Sequence, residues 1–296
     1  MRDINKQMIL VNCLKDYPNE IGGRKLVSIK EVFKGQMAGE YDLPLILPIG
    51  TDENDCVICL DLENSGNIFI CGATGVGKSV LINNIIASLV IKNTADSLEL
   101  ILVDPKMVEF TQWNNLSHLK NRKIIYEAND VNVAIDNLLY EVENRINAFK
   151  SEGVYTMKDY NEKVRLNNKA QFKSIVFIID EIADLLLYSN SKQTVNKLSM
   201  LLQKCRSAGI YVIASSQCTQ SYIFNAFGCN FSTKIALKIV THDEAISFIG
   251  NEIPTKLLNG QFELLKANGQ ISLGMAAYID VKEIERLTNL LFELNC

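Results

Sequence analysis

Eight consecutive residues have the types and the spacing that phosphate binding requires. They read GATGVGKS and fit the pattern G-x-x-x-x-G-K-[ST]. The glycines let backbone N–H groups turn inward around phosphate oxygens. The lysine then reaches the β- and γ-phosphates, and the serine hydroxyl takes one position on Mg²⁺. The predicted nucleotide-binding residues are Gly72, Ala73, Thr74, Gly75, Val76, Gly77, Lys78 and Ser79.

The alternative for this segment is a glycine-rich turn that holds no ligand. An apolar run, NIFIC (67–71), precedes the loop, and an apolar helical stretch follows it. A helix that begins near Lys78 points its positive end at a bound anion. This context is the one that a phosphate loop requires, so we favour nucleotide binding.

Two adjacent carboxylates, Asp180 and Glu181, close a second apolar run, SIVFII (174–179). At the tip of a buried strand, Asp180 is placed to hold Mg²⁺ through water or a hydroxyl. Glu181 would turn toward the γ-phosphate and polarise the attacking water. The alternative is that one acid only caps the helix EIADLLLY (181–188), since acidic residues favour that position. With a phosphate loop upstream, we predict a metal ligand followed by a catalytic base.

Two further strand ends carry polar groups. The run GIYVIASS (209–216) leads into Gln217, which senses the γ-phosphate or orients water unless it is simply exposed to solvent. The run LELILVD (98–104) leads into Pro105 and Lys106. Lys106 faces either the nucleotide site or a neighbouring subunit, or it lies in an exposed turn. All these positions follow the carboxyl ends of strands, where ligands bind in open α/β sheets.

A sheet is needed to bring these strand ends together. The apolar runs that follow the loop are continuous rather than alternating, as expected for strands buried on both faces of a parallel sheet. These runs cover 98–104, 174–180, 209–216 and 232–240. Helical periodicity separates them at 131–153 and 192–209. The alternation predicts an α/β fold with a doubly wound, mostly parallel sheet flanked by helices.

The two ends of the chain supply flanking elements. Turn residues between two apolar runs predict a hairpin before the loop. The first of these runs is LPLILPIG (43–50) and the second is CVICLDL (56–62). Short helices are predicted at 7–17 and 28–35, a hairpin at the sheet edge at 269–280, and a closing helix at 281–294.

The balance of charge excludes one class of nucleic-acid binder. Among 296 residues there are 30 Lys plus Arg and 34 Asp plus Glu, a net charge of −4. A histone-like coating of nucleic acid by positive charge is excluded, whereas a local basic pore or groove is not. Cys56 and Cys59 are the only close cysteine pair, and the two histidines, His118 and His242, stand far apart. We therefore predict structural cysteines rather than a zinc site.

The sequence also predicts a cytoplasmic location. The charged start MRDINKQM leads into no apolar segment of the kind that a signal peptide needs. The longest apolar stretch, 79–91, carries two asparagines and is too short to span a bilayer. Reduced cysteines are expected in that compartment.

Four stretches, taken in order, resemble the FtsK/SpoIIIE family of DNA-translocating ATPases, within the wider HerA–FtsK group. They are CGATGVGKSV, ILVDPKMVEF, FIIDEIADLL and KCRSAGIYVIASSQ. The Asp-Pro-Lys step and the Arg-x-Ala-Gly-Ile segment are not general to phosphate-loop proteins. The resemblance covers about Leu43 to Asp280 and implies three parts: an N-terminal helical extension (1–42), an FtsK-like motor domain (43–280) and a C-terminal helix (281–296).

The resemblance implies a RecA-like ATPase that assembles as a ring, commonly a hexamer, with duplex DNA passing through its centre. Lys78 and Ser79 would contact the phosphates and Mg²⁺ of bound ATP, and Asp180 would be the metal-associated acid. Glu181 would be the catalytic base and Gln217 the sensor. The remaining position is Arg206, implied to be a finger that reaches the nucleotide of the neighbouring subunit. Its alternative role is that of a cation answering the dipole at a helix C-terminus.

Several family residues are replaced in this chain. After the sensor strand the family usually has Ala-Thr-Gln-Arg-Pro, and this chain has Ser216-Gln217-Cys218-Thr219-Gln220. The family turn Gly-Asp-Met-Leu becomes Gly260-Gln-Phe-Glu263. The Ser-Arg pair that the family has on the next helix is replaced near Asp243-Glu244-Ala245. Several basic contacts are thus weakened or lost, which bears on translocation more than on ATP binding. The resulting hypothesis is a DNA motor of the mobile-element type, for conjugative transfer or plasmid maintenance, with a relaxase or a membrane-bound protein as partner. The alternatives are a protein-secretion ATPase and an ATP-binding scaffold with little turnover.

Overall fold

The strands of the computed structural model follow the apolar runs of the sequence. The structure describes residues 3–17, 20–21, 24–37, 43–167, 169–184, 191–217 and 228–294. Its strands are β1 (Glu20–Ile21), β2 (Arg24–Lys25), β3 (Val27–Ser28), β4 (Ile46–Thr51), β5 (Val57–Asp61), β6 (Ile68–Cys71), β7 (Leu98–Val103), β8 (Ser174–Ile179), β9 (Ile210–Ser216), β10 (Thr233–Ala236), β11 (Gln261–Leu265) and β12 (Ile271–Tyr278).

The helices fill the segments between these strands. They are α1 (Ile4–Asn12), α2 (Ile29–Met37), α3 (Leu62–Ser65), α4 (Lys78–Lys92), α5 (Ala128–Glu152), α6 (Met157–Leu166), α7 (Ser191–Lys204), α8 (His242–Ile249), α9 (Ile253–Lys256) and α10 (Val281–Glu293). The closing helix predicted near the C-terminus is confirmed as α10. Its start is set by a capping box, in which Asp280 and Glu283 each accept a hydrogen bond from the other's backbone N–H.

The parallel half of the sheet is built from β10, β6, β9, β8 and β7, which lie side by side in that order. Each neighbouring pair in this half runs parallel. The carboxyl ends of these strands therefore meet at one edge, which is called the carboxyl edge below. The opposite edge, where the strands begin, is called the amino edge. The predicted α/β architecture is confirmed.

Alternate residues of these strands enter two separate cores, one on each face of the sheet. One core contains Ile68, Leu100, Val176 and Ile213 together with side chains of α1, α4 and α10. The other contains Phe69, Ile101, Phe177 and Val212 together with side chains of α5, α7 and α8. Because helices cover both faces, both sets of alternating side chains are apolar. This explains why the strand sequences are continuous apolar runs.

An antiparallel half extends the sheet beyond β10, in the order β11, β12, β4, β5. The hairpin predicted before the phosphate loop is confirmed as β4 and β5. The range 269–280, predicted as a hairpin, contains a single strand, β12, and its antiparallel partner β11 precedes that range. The predicted place at the sheet edge was wrong. β12 pairs with β4 and also with β3, so strands from the N-terminal part of the chain cover it.

Two predicted helices have different bounds in the structure. The helix predicted at 7–17 begins at Ile4, because the Asp3 carboxylate accepts the backbone N–H of Asn5 and caps it. The helix predicted at 192–209 ends at Lys204, and a turn leads from there to β9. Gly209 closes that turn with a φ of +71°. No helix in the described parts of the chain is long and apolar enough to cross a bilayer.

Candidate functional site

The phosphate loop, residues 72–79, follows β6 at the carboxyl edge and ends in the first turn of α4. Gly75 and Gly77 have φ values of +77° and +107°, which residues with a Cβ rarely adopt. A Cβ added to Gly72 would lie 2.9 Å from the Cβ of Leu237. The glycines of the motif are therefore required by the turn itself and by the close packing beneath it.

Backbone hydrogen bonds connect the loop to the segments that follow β10 and precede β11. The backbone N–H of Ala73 donates to the carbonyl of Lys238, which follows β10, at 2.9 Å. The N–H of Gly260 donates to the Val76 carbonyl at 2.8 Å, and the Gly260 carbonyl accepts the N–H of Ala276 at 2.8 Å. The loop is thereby tied to β12 through Gly260, in the antiparallel half of the sheet.

Lys78 and Asp180 meet in the buried floor of the site. Lys78 Nζ lies 3.6 Å from Asp180 Oδ1, and the two side chains are 7% and 4% exposed. The hydroxyl of Ser215 donates to the same Asp180 oxygen at 3.1 Å. Ser79, one residue after Lys78, is half-buried in the first turn of α4. The structure thus brings the predicted phosphate contact next to the predicted metal-associated acid.

Glu181 has an unusual backbone that aims its carboxylate along the edge of the sheet. Its φ of +55° lies in the left-handed region, which costs roughly 1–2 kcal/mol for a residue with a Cβ. Ser216 Oγ donates to Glu181 Oε1 at 2.8 Å, and the backbone N–H of Gln217 donates to Oε2 at 3.0 Å. A strained residue held by two hydrogen bonds and buried beside a phosphate loop is typical of a functional position.

Gln217 lies between the acids and the phosphate loop. Its side-chain Oε1 accepts a hydrogen bond from the Thr74 hydroxyl at 2.9 Å. Its backbone N–H binds Glu181, so one residue links the loop to the predicted base. Sequence reasoning had marked Gln217 but not the roles of Ser215 and Ser216 in holding the two acids. The available signal was a pair of serines at the end of a fully buried apolar strand.

Lys106 lies in the turn after β7, where its side chain is exposed and forms an ion pair. Its Nζ lies 3.3 Å from Asp184 Oδ2. Removal from water acts to lower the pKa of Lys106, but the hydrogen bond and charge of Asp184, with the charges of Glu181 and Asp180, raise it above its ordinary value. Of the alternatives that the sequence left open, the structure shows the exposed turn, with Lys106 paired to Asp184.

Asp104, at the end of β7, organises the turn that carries Lys106. Its Oδ2 accepts the backbone N–H groups of Glu109 and Phe110 at 2.9 and 3.0 Å. The side chain is fully buried. Asp104 therefore stabilises the Asp-Pro-Lys turn through these two hydrogen bonds.

Arg206 does not lie with the other predicted site residues. It stands in the turn between α7 and β9, at the amino edge, where its Nε donates to the Glu63 carbonyl at 2.9 Å. The seven-residue strand β9 separates this turn from Gln217, a distance of roughly 20 Å at about 3.3 Å per residue. Arg206 therefore cannot contact a nucleotide held by its own phosphate loop.

The side chains near the loop suit a Mg²⁺ nucleotide. A serine hydroxyl and a carboxylate, from Ser79 and Asp180, are the oxygen ligands that Mg²⁺ prefers beside substrate phosphates. Within the described ranges, no three His, Cys, Asp or Glu side chains are grouped so that they could hold a metal ion by themselves. Phosphate oxygens and water would then complete the coordination. Cys218 and the rest of 218–227 lie outside the described residues.

Residues 28–221 match the model of the FtsK/SpoIIIE family. The chain is 28% identical over 277 residues to the DNA translocase FtsK of Staphylococcus epidermidis, covering 90% of this chain and 34% of that protein. It is 26% identical over 275 residues to the DNA translocase SpoIIIE of Bacillus subtilis, covering 89% of this chain and 34% of that protein. The chain therefore spans about a third of the length of these curated relatives.

Two solved structures have a similar fold. The cytoplasmic domain of the type VII secretion ATPase EccC from Thermomonospora curvata has a TM-score of 0.76 at 19% identity, covering 90% of this chain and 34% of that one. The conjugation coupling protein TcpA of pCW3, in a monomer form with ATPγS, has a TM-score of 0.74 at 20% identity, covering 86% and 71%. The secretion ATPase and the coupling protein thus share one architecture with this chain.

Proposed function

Because the chain belongs to the FtsK/SpoIIIE family of phosphate-loop ATPases, we propose that it hydrolyses ATP to move double-stranded DNA. The observation that carries the hydrolytic part is the arrangement of Lys78, Asp180 and Glu181 at the carboxyl edge. All three are at least nine-tenths buried, and the predicted base is held by two hydrogen bonds. A purely structural acid pair would not need the strained backbone of Glu181.

Each residue has a distinct role in this proposal. Lys78 binds the β- and γ-phosphates, and Ser79 and Asp180 hold the Mg²⁺ that accompanies ATP. When bound, the metal ion neutralises charge on the phosphates. Glu181 accepts a hydrogen bond from the attacking water and orients it toward the γ-phosphate. As the general base, it then takes a proton from that water. Gln217 senses the γ-phosphate, because it contacts both the loop through Thr74 and the base through its own backbone.

Double-stranded DNA is the proposed cargo because the curated relatives with the matching sequence are DNA translocases. The fold alone does not separate this function from protein secretion, since a secretion ATPase has the same architecture. We place the motor in the cytoplasm as a homo-oligomeric ring, with six subunits as the expected number. Conjugative transfer or plasmid maintenance, with a relaxase or a membrane-bound partner, is the proposed setting.

ATP hydrolysis with and without duplex DNA tests the proposal. We expect a Mg²⁺-dependent rate that linear duplex raises steeply and that Lys78→Ala abolishes in a folded protein, because Lys78 supplies charge rather than packing. Displacement of a third strand from a triplex at the end of the duplex would then report translocation. A rate unaffected by duplex points to a secretion ATPase, and a rate near background in both conditions points to a scaffold. Either result contradicts the proposed DNA motor.

A further inference from the structure

A pocket of about 420 Å³ opens at the amino edge, on the side of the molecule away from the phosphate loop. Arg206 and Ser207 form one wall, and Thr156 and Lys158, at the start of α6, form the opposite wall. Arg206 and Lys158 are both exposed. Two cationic side chains from segments distant in sequence therefore line one small pocket.

These two cations have no acidic partner within the described parts of the chain. The only side-chain hydrogen bond of Arg206 there is the one from Nε to the Glu63 carbonyl, which leaves its terminal NH₂ groups available. The Lys158 side chain forms no ion pair or hydrogen bond with a described residue. Other lysines of the same region behave differently, as Lys163 and Lys169 both pair with Glu152. Glu63 also lines the pocket, so two cations against one carboxylate leave a net positive charge, which favours an anion as its occupant.

The two walls of the pocket are fastened to each other. The backbone N–H of Met157 donates to the Ser207 carbonyl at 2.9 Å. The buried Arg145 donates from Nη1 to the Ala208 carbonyl at 2.8 Å and also contacts the sulfur of Met157 at 3.3 Å. Gly209 packs so closely that an added Cβ would lie 2.1 Å from that sulfur. The position of Lys158 relative to Arg206 is thus set by the fold.

We propose that Lys158 is a second catalytic cation acting in trans, which reaches beside Arg206 to the γ-phosphate of ATP bound by a neighbouring copy of this chain. The inference rests on the proposed function, since it needs ATP hydrolysis in an assembly. The chain's own nucleotide is not the occupant, because this pocket and the chain's own phosphate loop lie at opposite edges of the sheet. In the proposed ring, the nucleotide of the next copy is the anion that this edge would meet. A triphosphate supplies the concentrated negative charge that two unpaired cations would meet.

The two cations differ in what they contribute. Arg206 presents a planar fork suited to two phosphate oxygens, whereas Lys158 adds a compact charge on a flexible stem. Removal of one donor to developing charge typically costs about 10²–10³ in rate. Since Lys158 is exposed and solvent screens it, we expect Lys158→Met to lower kcat by about 10- to 100-fold. The KM for ATP should change little, because the binding groups belong to the other subunit.

The test compares four full-length proteins: wild type, Lys158→Met, Lys158→Arg and the control Lys282→Ala. Lys282 is also an exposed lysine with no described partner, but it lies on α10, away from the pocket. We expect Lys158→Met to lose kcat, Lys158→Arg to retain most of it, and Lys282→Ala to match wild type. Thermal unfolding should be the same in all four. Equal kcat in Lys158→Met and wild type would overturn the role of Lys158 while leaving the ATPase intact.

Mixed assemblies decide whether Lys158 acts across the interface. Lys78→Ala subunits lack turnover but carry an intact Lys158. Added to Lys158→Met subunits, they should restore turnover toward the wild-type rate per intact loop. Subunits carrying both Lys78→Ala and Lys158→Met should restore none. Failure of the first mixture, when mixed assemblies form, refutes action in trans. A wild-type protein without any ATP hydrolysis would remove both this inference and the proposed function.

Discussion

The charged side chains at the two edges of the sheet differ in burial and in pairing. At the carboxyl edge, Lys78, Asp180 and Glu181 are buried, and each has a partner within 3.6 Å. At the amino edge, Arg206 and Lys158 are exposed and have no acidic partner in the described parts of the chain. The first arrangement is complete within one chain and can hold a nucleotide. The second becomes useful only when another molecule brings negative charge to it.

This difference follows from what burial costs. A buried ion without a partner is expensive, so the groups that surround a nucleotide must be paired or hydrogen-bonded before it binds. An exposed cation remains hydrated and can stay unpaired at little cost. A cation that acts on a neighbouring subunit should therefore be exposed and without an acidic partner in its own chain. Lys158 has both properties among the described residues.

The largest expected effect is that of Arg206→Ala. A finger supplied in trans is worth about 10³–10⁵ in rate, whereas a cation at a helix C-terminus contributes roughly 0.3–1 kcal/mol of stability. The placement of Arg206 in a turn beyond α7 weakens the second role. We expect ATP hydrolysis to fall by about 10³–10⁵ with unfolding unchanged.

Rates of wild type over a range of protein concentrations are the control for Arg206. Activity per subunit should rise steeply as the assembly forms. If a monomer or the Arg206→Ala protein hydrolyses ATP at the full rate, the amino edge does not act on a neighbouring subunit.

Glu181→Gln should have the next largest effect, and it acts on the carboxyl edge alone. Loss of a general base typically costs about 10²–10⁴ in rate. Lys78, Ser79 and Asp180 remain, so ATP should still bind, as measured by fluorescence of a labelled nucleotide. If Glu181→Gln weakens ATP binding and keeps the hydrolysis rate, Glu181 is a binding residue and the assignment of the base is wrong.

Gly209→Ala should have the smallest effect on hydrolysis. It tests the amino edge through the free energy of unfolding instead. Gly209 and Gly153 have φ values of +71° and +69°, but only Gly209 lacks space for a Cβ, because Met157 fills it. Both substitutions strain the backbone by roughly 1–2 kcal/mol. Overpacking adds about 1–3 kcal/mol to Gly209→Ala alone.

Chemical denaturation of the two glycine variants measures this difference directly. Gly209→Ala should also displace the start of α6 and lower the rate contributed by Lys158, while ATP binding at the carboxyl edge stays normal. Equal losses of stability in both variants would show that Met157 moves aside and that the two walls of the pocket are not tightly joined.

The features that sequence reasoning could place at the carboxyl edge are local in the chain. The phosphate loop, the acid pair and the Asp-Pro-Lys turn are each contained in a short segment with a characteristic spacing. The continuous apolar runs predicted the parallel strands because burial on both faces leaves a direct trace in composition. Residues that follow those strands could then be expected at one edge.

Features that depend on distant pairs could not be predicted. The bond between Met157 and Ser207, which places Lys158 beside Arg206, joins segments that share no motif. The cover of β12 by β4 depends on the N-terminal part of the chain returning to its C-terminal part. Glu263 is fully buried in β11, where it accepts a hydrogen bond from Asn251. Nothing in its own segment indicates that a carboxylate would lie there.

The bonds that tie the phosphate loop to its surroundings have a consequence for affinity. Ala73 and Val76 are each hydrogen-bonded to backbone outside the loop, through Lys238 and Gly260. A glycine-rich segment loses much conformational freedom when it becomes ordered. Here the conformational entropy is lost when the chain folds rather than when the ligand binds, so the loop is preorganised. The free energy of contact with a nucleotide can then appear largely as affinity.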